Sequence, residues 1–212
     1  MWKWLFPEVN DLDFEIVYNF PSDHVPKQSV TYDRNKPNLL LSAANWRPNL
    51  LPSSIRRVHE RWVCEGGYSQ IFGSNRFMEN AWPWSNNIWA DLDDFNVIAF
   101  TFDYFSACPN FVTEATSLGI PVVGPKSLGI SEIVNNSLLF DCKFDPFDYG
   151  PSYFEMGQPS FDLDLVHQHL NSVLRMWRDQ GSLVVASGQL LKSVRFGYNG
   201  YFEAINERLE AL

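Results

Sequence analysis

Residues 95–141 constrain the fold more than any other part of the chain, because short apolar runs alternate there with segments that can form helices. Residues 95–102 are apolar almost throughout, which is typical of a strand buried on both faces of a parallel sheet. Residues 120–123 and 138–140 are two further apolar runs. The pattern predicts an α/β, Rossmann-like parallel sheet with right-handed helical crossovers and helices on both faces.

The segments between these runs carry helix start and stop signals. Residues 110–118 can form a short helix with Glu114 near its middle, and Gly119 follows as a stop signal. A loop at 124–129 then leads to a predicted helix at 130–135. The backbone N–H groups of this loop lie next to the N-terminus of the helix, where anionic groups bind favourably.

Flanking segments complete the predicted sheet. Strands are expected at 38–43 and 68–72, a helix from Ser53 or Ser54 to about Cys64, and a short helix at 88–92. The apolar stripe of the helix near Cys64 is predicted to contain Ile55, Val58, Trp62 and Val63. Amphipathic or apolar segments predict C-terminal helices that pack back on the sheet at 161–180, 183–196 and 198–212.

The chain is predicted to divide at residue 37. Residues 1–37 hold a possible helix (1–12), a strand (14–20) and a Pro-rich polar linker (21–37). Residues 38–212 form the Rossmann-like domain. The first segment is expected to be an ordinary strand and loop or the junction between two domains.

Composition excludes several classes of partner. The formal net charge is −9 and basic residues do not cluster, which argues against nucleic acid as a partner. No apolar run approaches the ~20 residues that span a bilayer, so no transmembrane segment is predicted. Three cysteines without close pairing predict reduced, buried thiols in a cytoplasmic protein, and neither cysteine nor histidine spacing predicts a metal site.

The sequence NFVTEATSLGIPVVGPKSLGISEIV, residues 110–134, resembles the donor-binding, C-terminal half of GT-B glycosyltransferases of the family 4, or group 1, type. Glu114 stands at the second Glu of the paired-Glu motif of those enzymes. The GIPVV segment at 119–123 and the GISE segment at 129–132 follow at the family's spacing. The first Glu falls at Ser106, whose hydroxyl carries no charge to stabilise a sugar's developing cation.

The resemblance implies a nucleotide-sugar donor without a metal or further cofactor. Glu114 would accept hydrogen bonds from the ribose hydroxyls, and the glycine turn would bind the diphosphate. The glycine after the strand at 68–72 would let the backbone approach the nucleoside. The full set of donor-binding residues implied is Arg47, Gly73, Asn110, Phe111, Glu114, Gly129, Ile130 and Ser131.

The same resemblance implies that transfer needs an acceptor-binding second domain or chain. Three alternatives follow: the chain is the C-terminal part of a longer enzyme, it is one half of a split enzyme, or it is a non-catalytic interaction module derived from such a domain. A sugar-nucleotide epimerase-like domain is a further alternative, although its catalytic carboxylates and histidine are not identified here. The favoured function is the donor-binding half of a glycosyltransferase.

Overall fold

The computed structural model describes residues 33, 35–44, 52–73, 88–92, 94–103, 109–142 and 161–180. Five strands form one sheet in the order β2-β1-β3-β4-β5, and every neighbouring pair is parallel. The strands are β1 (Asn38–Ala44), β2 (Tyr68–Gly73), β3 (Asn96–Phe100), β4 (Val122–Pro125) and β5 (Leu139–Phe140). The predicted parallel sheet is confirmed.

Helices cover both faces of this sheet. They are α1 (Pro52–Cys64), α2 (Asn110–Ser117), α3 (Leu128–Ile133) and α4 (Leu163–Gln180), with 3-10 turns at Ala90–Leu92 and Asn136–Leu138. The chain moves from β1 outward to β2, then returns to the other side of β1 and continues from β3 to β5. Right-handed crossovers therefore place α1 on one face and α2 and α3 on the other. Helix α4 packs against α1, and α2 packs against α3.

The core is centred on β3. All five of its residues are buried, and Ile98, Ala99 and Phe100 have no measurable exposure. On one side β3 pairs with β1, where Leu40 is the partner of Ile98, and on the other side it pairs with β4. Burial on both faces explains why its sequence is a continuous apolar run rather than an alternating one.

Strand β4 begins two residues later than predicted because Ile120 takes part in the end of α2. The Ile120 N–H donates to the Ala115 carbonyl at 2.9 Å, and the Gly119 N–H donates to the Thr116 carbonyl at 3.0 Å. Gly119 adopts a φ of 74°, which glycine accepts without strain. The stop signal at Gly119 is thus confirmed, while the predicted strand at 120–123 moves to Val122–Pro125.

Two helices begin at different residues than predicted because of side-chain caps. Helix α3 starts at Leu128 instead of 130, since the Ser127 hydroxyl accepts the Ile130 N–H at 3.2 Å. Helix α4 starts at Leu163 instead of 161, since the Asp162 carboxylate accepts two N–H groups of the first turn. Among the short segments, β3 ends at Phe100 instead of 102, and the predicted helix at 88–92 is a 3-10 turn.

Two expectations about burial are wrong. Val63 is 53% exposed, because it lies about 100° around the helix from Trp62, and the buried stripe of α1 is Ile55, Val58, His59 and Trp62. Cys64, predicted to be a buried thiol, is exposed at the end of α1, and Cys142 is partly buried.

The end of the predicted linker is fixed to the sheet by Asn96. Its side-chain oxygen accepts the Asp33 N–H at 2.9 Å, and its amide donates to the carbonyls of Asp33 and Lys36. The predicted segments at 1–12, 14–20, 183–196 and 198–212 lie outside the described residues, and the division at residue 37 stays a prediction. No helix in the described part of the chain is both long and apolar enough to cross a membrane.

Candidate functional site

The strand order defines where a ligand can bind. Strand β1 pairs with β2 on one side and β3 on the other, so the chain reverses its direction across the sheet at β1. Connections that leave the carboxyl ends of β1 and β3 go to opposite faces and open a crevice between them. Ligands of open α/β sheets bind at this position, so the carboxyl edge around β1 and β3 is the candidate site.

Glu114, the predicted ribose ligand, lies on α2 with only 8% exposure. The indole Nε1 of Trp89 donates a hydrogen bond to its Oε2 at 2.9 Å. A buried carboxylate needs such donors, and a charge-assisted bond fixes its orientation. Sequence reasoning missed Trp89, because nothing local in the sequence links residue 89 to residue 114.

Three aromatic rings connect Glu114 to the carboxyl end of β2. Trp89 stacks on Phe111 with ring centroids 5.7 Å apart, and Phe111 contacts Phe72 at 5.7 Å in a tilted arrangement. Phe111 was predicted to be a donor-binding residue, and the structure places its ring in an aromatic cluster with Phe72 and Trp89. The cluster contacts the Glu114 carboxylate through the Trp89 indole.

Gly73 ends β2 at the same edge of the sheet. It pairs with Ala44, the last residue of β1, and has a φ of 139°. Side chains strongly disfavour this backbone region, so the position requires glycine. The structure thus explains why a glycine stands here, and its approach to a nucleoside stays a prediction.

Some backbone N–H groups of the glycine turn at the start of α3 already donate to the helix cap, Ser127. The Ile130 N–H donates to the Ser127 hydroxyl at 3.2 Å, and the Ser131 N–H donates to the Ser127 carbonyl at 3.0 Å. Gly129 is buried in the first helical turn, where N–H groups have no partner within the helix. The N–H groups of Ile130 and Ser131 therefore already donate to Ser127, and the diphosphate contacts of Gly129, Ile130 and Ser131 stay predictions.

The topology places Glu114 and Gly129 on the same face of the sheet. Their helices α2 and α3 follow the neighbouring parallel strands β3 and β4 and contact each other. Asn110, the first residue of α2, is exposed near the same edge. Arg47 lies outside the described residues, so its predicted place beside the diphosphate stays a prediction.

Asp103 is a carboxylate at this edge that sequence reasoning did not select. It follows the buried run of β3 and is only 8% exposed, and its N–H donates to the Thr101 hydroxyl at 2.9 Å. The available signal was an acidic residue directly after a buried parallel strand. The same edge, after β4 and β5, carries an exposed ion pair between Lys126 and Asp141 at 2.8 Å.

A second buried ionisable side chain, His59, lies on the α1 face. Its Nε2 is 2.7 Å from the Ser42 hydroxyl, and its Nδ1 is 2.7 Å from the Ser69 hydroxyl. Burial lowers the pKa of His59 to about 3 from an ordinary value of 6.5, so the ring is neutral at pH 7. Ser42 has no exposure, so this Ser–His contact ties α1 to β1 and β2 and does not face a substrate.

The other titratable groups do not form a metal-binding cluster within the described ranges. No three His, Cys, Asp or Glu side chains there are grouped as metal ligands. Burial, together with the charge of Asp141, raises the pKa of the Cys142 thiol to about 11, which leaves little thiolate at neutral pH.

The fold matches solved glycosyltransferase structures. The apo form of the lipopolysaccharide outer core galactosyltransferase WaaB gives a TM-score of 0.58 at 17% identity over 93% of this chain and 55% of that chain. The pneumococcal O-GlcNAc transferase GtfA in complex with UDP and GlcNAc gives 0.57 at 12% identity over 87% and 38%, respectively. No protein-family model and no curated protein matches the sequence.

At these identities the comparison establishes the fold. The chain has a GT-B glycosyltransferase-like fold, built on a five-stranded parallel Rossmann-like sheet. It spans 55% and 38% of the lengths of the two matched chains.

Proposed function

We propose that this chain is the nucleotide-sugar-binding half of a glycosyltransferase. The observation that carries the proposal is the buried Glu114 carboxylate, which accepts a hydrogen bond from Trp89 and lies on α2, the helix that follows β3 beside the point where the strand order reverses. A carboxylate in this position can accept hydrogen bonds from two neighbouring hydroxyls of a ribose. The glycosyltransferase-like fold supports a nucleotide sugar as the ligand of that carboxylate.

Each part of the donor has a proposed partner. Glu114 binds the ribose, the first turn of α3 at Gly129 binds the diphosphate, and Gly73 admits the nucleoside close to the backbone. The glycine turn adds partial positive charge from N–H groups, which suits a diphosphate. Arg47 joins the diphosphate site as the family resemblance implies, and the site is proposed to work without a metal.

Transfer of the sugar is proposed to need a second domain or chain that binds the acceptor. In this arrangement the described domain binds and orients the donor, and the partner brings the acceptor hydroxyl to the anomeric carbon. The matched GtfA structure contains UDP, which makes uridine nucleotides the first ligands to test here.

Calorimetric titration with UDP, GDP and ADP tests the proposal. We expect micromolar binding of one nucleotide and a loss of about tenfold in affinity for Glu114→Gln, since a charge-assisted hydrogen bond contributes about 1.5 kcal/mol or more. The matched control is Glu60→Gln, an exposed glutamate on α1 that pairs with Arg56 at 3.0 Å. That variant should bind like the wild type.

Absence of binding by all three nucleotides would support the alternative of a non-catalytic interaction module. One observation favours this alternative: the Glu114 carboxylate already has an indole partner and borders a packed aromatic cluster. In that case Glu114→Gln should change stability without changing any ligand affinity.

A further inference from the structure

We infer that the ring of Phe111 is the surface on which the base of the nucleotide stacks, an inference that rests on the nucleotide-sugar site proposed above. The base is the part of the donor to which that proposal gives no side chain. Phe111 belongs to the aromatic cluster with Phe72 and Trp89, which adjoins both proposed contacts of the nucleoside. The inference gives this cluster a ligand, the planar base of a nucleoside.

Short links join the cluster to the two proposed nucleoside contacts. Phe72 directly precedes Gly73 at the end of β2, and Trp89 donates to the Glu114 carboxylate at 2.9 Å. Phe111 contacts both rings, each with a distance of 5.7 Å between ring centroids. Phe111 and Glu114 are also neighbours on one side of α2, since residues three apart on a helix have Cβ atoms about 5–6 Å apart. A nucleoside that occupies both proposed contacts therefore lies next to this ring.

Exposure distinguishes Phe111 from the other two rings. Phe72 and Trp89 are each 3% exposed and belong to the core. Phe111 is only partly buried, although it packs against the same core. Trp89 lies almost parallel to the Phe111 ring, with an interplanar angle of 23°, and Phe72 is tilted by 57°. Two core rings therefore fix the orientation of Phe111, and the residue keeps an accessible surface.

An accessible aromatic ring is complementary to a nucleobase. Every base has a π-face, and the stacking of one base on an aromatic side chain contributes about tenfold or more to affinity. A ring that packing has already fixed loses little conformational freedom when a ligand stacks on it. Because stacking does not read hydrogen-bond donors or acceptors, Phe111 should strengthen nucleotide binding whichever base the site prefers.

Calorimetry on ligands with and without a base tests the inference. The pair is the nucleoside diphosphate that binds most tightly to the wild type and ribose 5-diphosphate, which keeps the ribose and both phosphates. In Phe111→Leu we expect affinity for the nucleoside diphosphate to fall about tenfold and affinity for ribose 5-diphosphate to stay the same. Phe111→Tyr retains the ring and should bind both ligands like the wild type. Glu114→Gln should weaken both ligands equally, because both carry the ribose hydroxyls.

The matched control is Phe95→Leu. Phe95 is another partly buried aromatic residue that packs against the core, and its ring contacts Tyr68 at 5.9 Å between centroids. Phe95 directly precedes β3, at the amino edge of the sheet and away from the proposed site. This variant should lose a similar amount of ring packing and leave both affinities unchanged.

The outcomes separate the inference from the proposed function. Equal loss of both ligands in Phe111→Leu, or no loss, would overturn the base assignment while nucleotide binding stands. A loss that is seen with UDP-glucose and absent with UDP would assign the ring to the transferred sugar and would overturn it as well. Failure of the wild type to bind any nucleotide overturns both. If Phe111→Leu does not fold, Phe111→Met replaces it with the same expectation, and unfolding of both variants would make the ring part of the core and overturn the inference.

Discussion

Each face of the sheet buries an ionisable side chain, and the two side chains differ in their hydrogen-bond partners and in their position in the fold. On the α1 face, both ring nitrogens of His59 contact serine hydroxyls of β1 and β2. On the opposite face, Glu114 of α2 accepts a hydrogen bond from the indole of Trp89. His59 bridges two strands from its helix, whereas Glu114 lies on the helix that follows the carboxyl end of β3.

The difference teaches that burial and hydrogen bonding alone do not identify a functional residue. A neutral His59 joins three elements and has no nitrogen left for a ligand. Glu114 keeps the capacity of a carboxylate, which can accept several hydrogen bonds, at an edge where ligands of this fold bind. The comparison predicts that changes at His59 alter stability, while changes around Glu114 also alter ligand binding.

The largest expected effect is a loss of stability in acid caused by His59. Its pKa is about 3 in the folded protein and near 6.5 when unfolded, so between these values the unfolded chain binds the extra proton. Stability therefore rises with pH across this window, by about 1.4 kcal/mol per pH unit. Because of this residue, the free energy of unfolding measured in urea should be roughly 3 kcal/mol higher at pH 6.5 than at about pH 4.

The contribution of His59 is isolated with His59→Gln, which keeps a donor and an acceptor but does not titrate. The variant should be less stable than the wild type at pH 7. Between pH 6.5 and about pH 4, however, its free energy of unfolding should fall by roughly 3 kcal/mol less than that of the wild type. Nucleotide affinity should not change. An identical pH dependence in both proteins would show that the ring is accessible to protons in the folded state.

Trp89→Phe should produce the next largest effect. The phenyl ring retains much of the stacking on Phe111 but removes the donor to Glu114, leaving a buried carboxylate oxygen without its indole. Loss of such a bond costs about 2 kcal/mol. Urea unfolding measures this cost, and calorimetry should show weaker nucleotide binding in the same variant. Unchanged nucleotide affinity would place Trp89 and Glu114 in the same purely structural class as His59.

Features set by local sequence signals could be predicted, whereas features set by a single cap or by contacts between distant segments could not. The parallel sheet was predictable because β3 is a continuous apolar run and Gly119 marks a helix end, both local signals. The starts of α3 and α4 were missed because a single cap at Ser127 or Asp162 outweighs hydrophobic periodicity. Two residues of the candidate site, Trp89 and Asp103, were missed because their importance arises from the packing of distant segments.

Gly73→Ala tests the carboxyl end of β2. Ser69, near the start of the same strand, contacts His59. The φ of 139° at Gly73 is unfavourable for alanine, which should cost about 1.5 kcal/mol. Thermal unfolding measures the cost, and calorimetry shows whether nucleotide binding falls further than stability explains. Ser69→Ala is the matched change on β2 and should lower stability with nucleotide affinity intact. Equal binding by both variants would remove Gly73 from the proposed nucleoside contact.

The smallest effect is expected at Glu65, an exposed carboxylate on the α1 face. The side chains of His167 and Asn171, at 2.8 Å and 3.1 Å, lower the pKa of Glu65, with a smaller contribution from Arg61. Its stabilisation is therefore present above the unfolded pKa and lost as pH falls through the folded pKa. Because solvent screens this partly exposed group and Gln keeps one of its two acceptor oxygens, Glu65→Gln should lower the free energy of unfolding in urea by only about 0.5 kcal/mol. A cost comparable to that of Trp89→Phe would mean that the contact between α1 and α4 depends on charge. The α1 face would then be stabilised by an ionic interaction as well as by packing and the neutral contacts of His59.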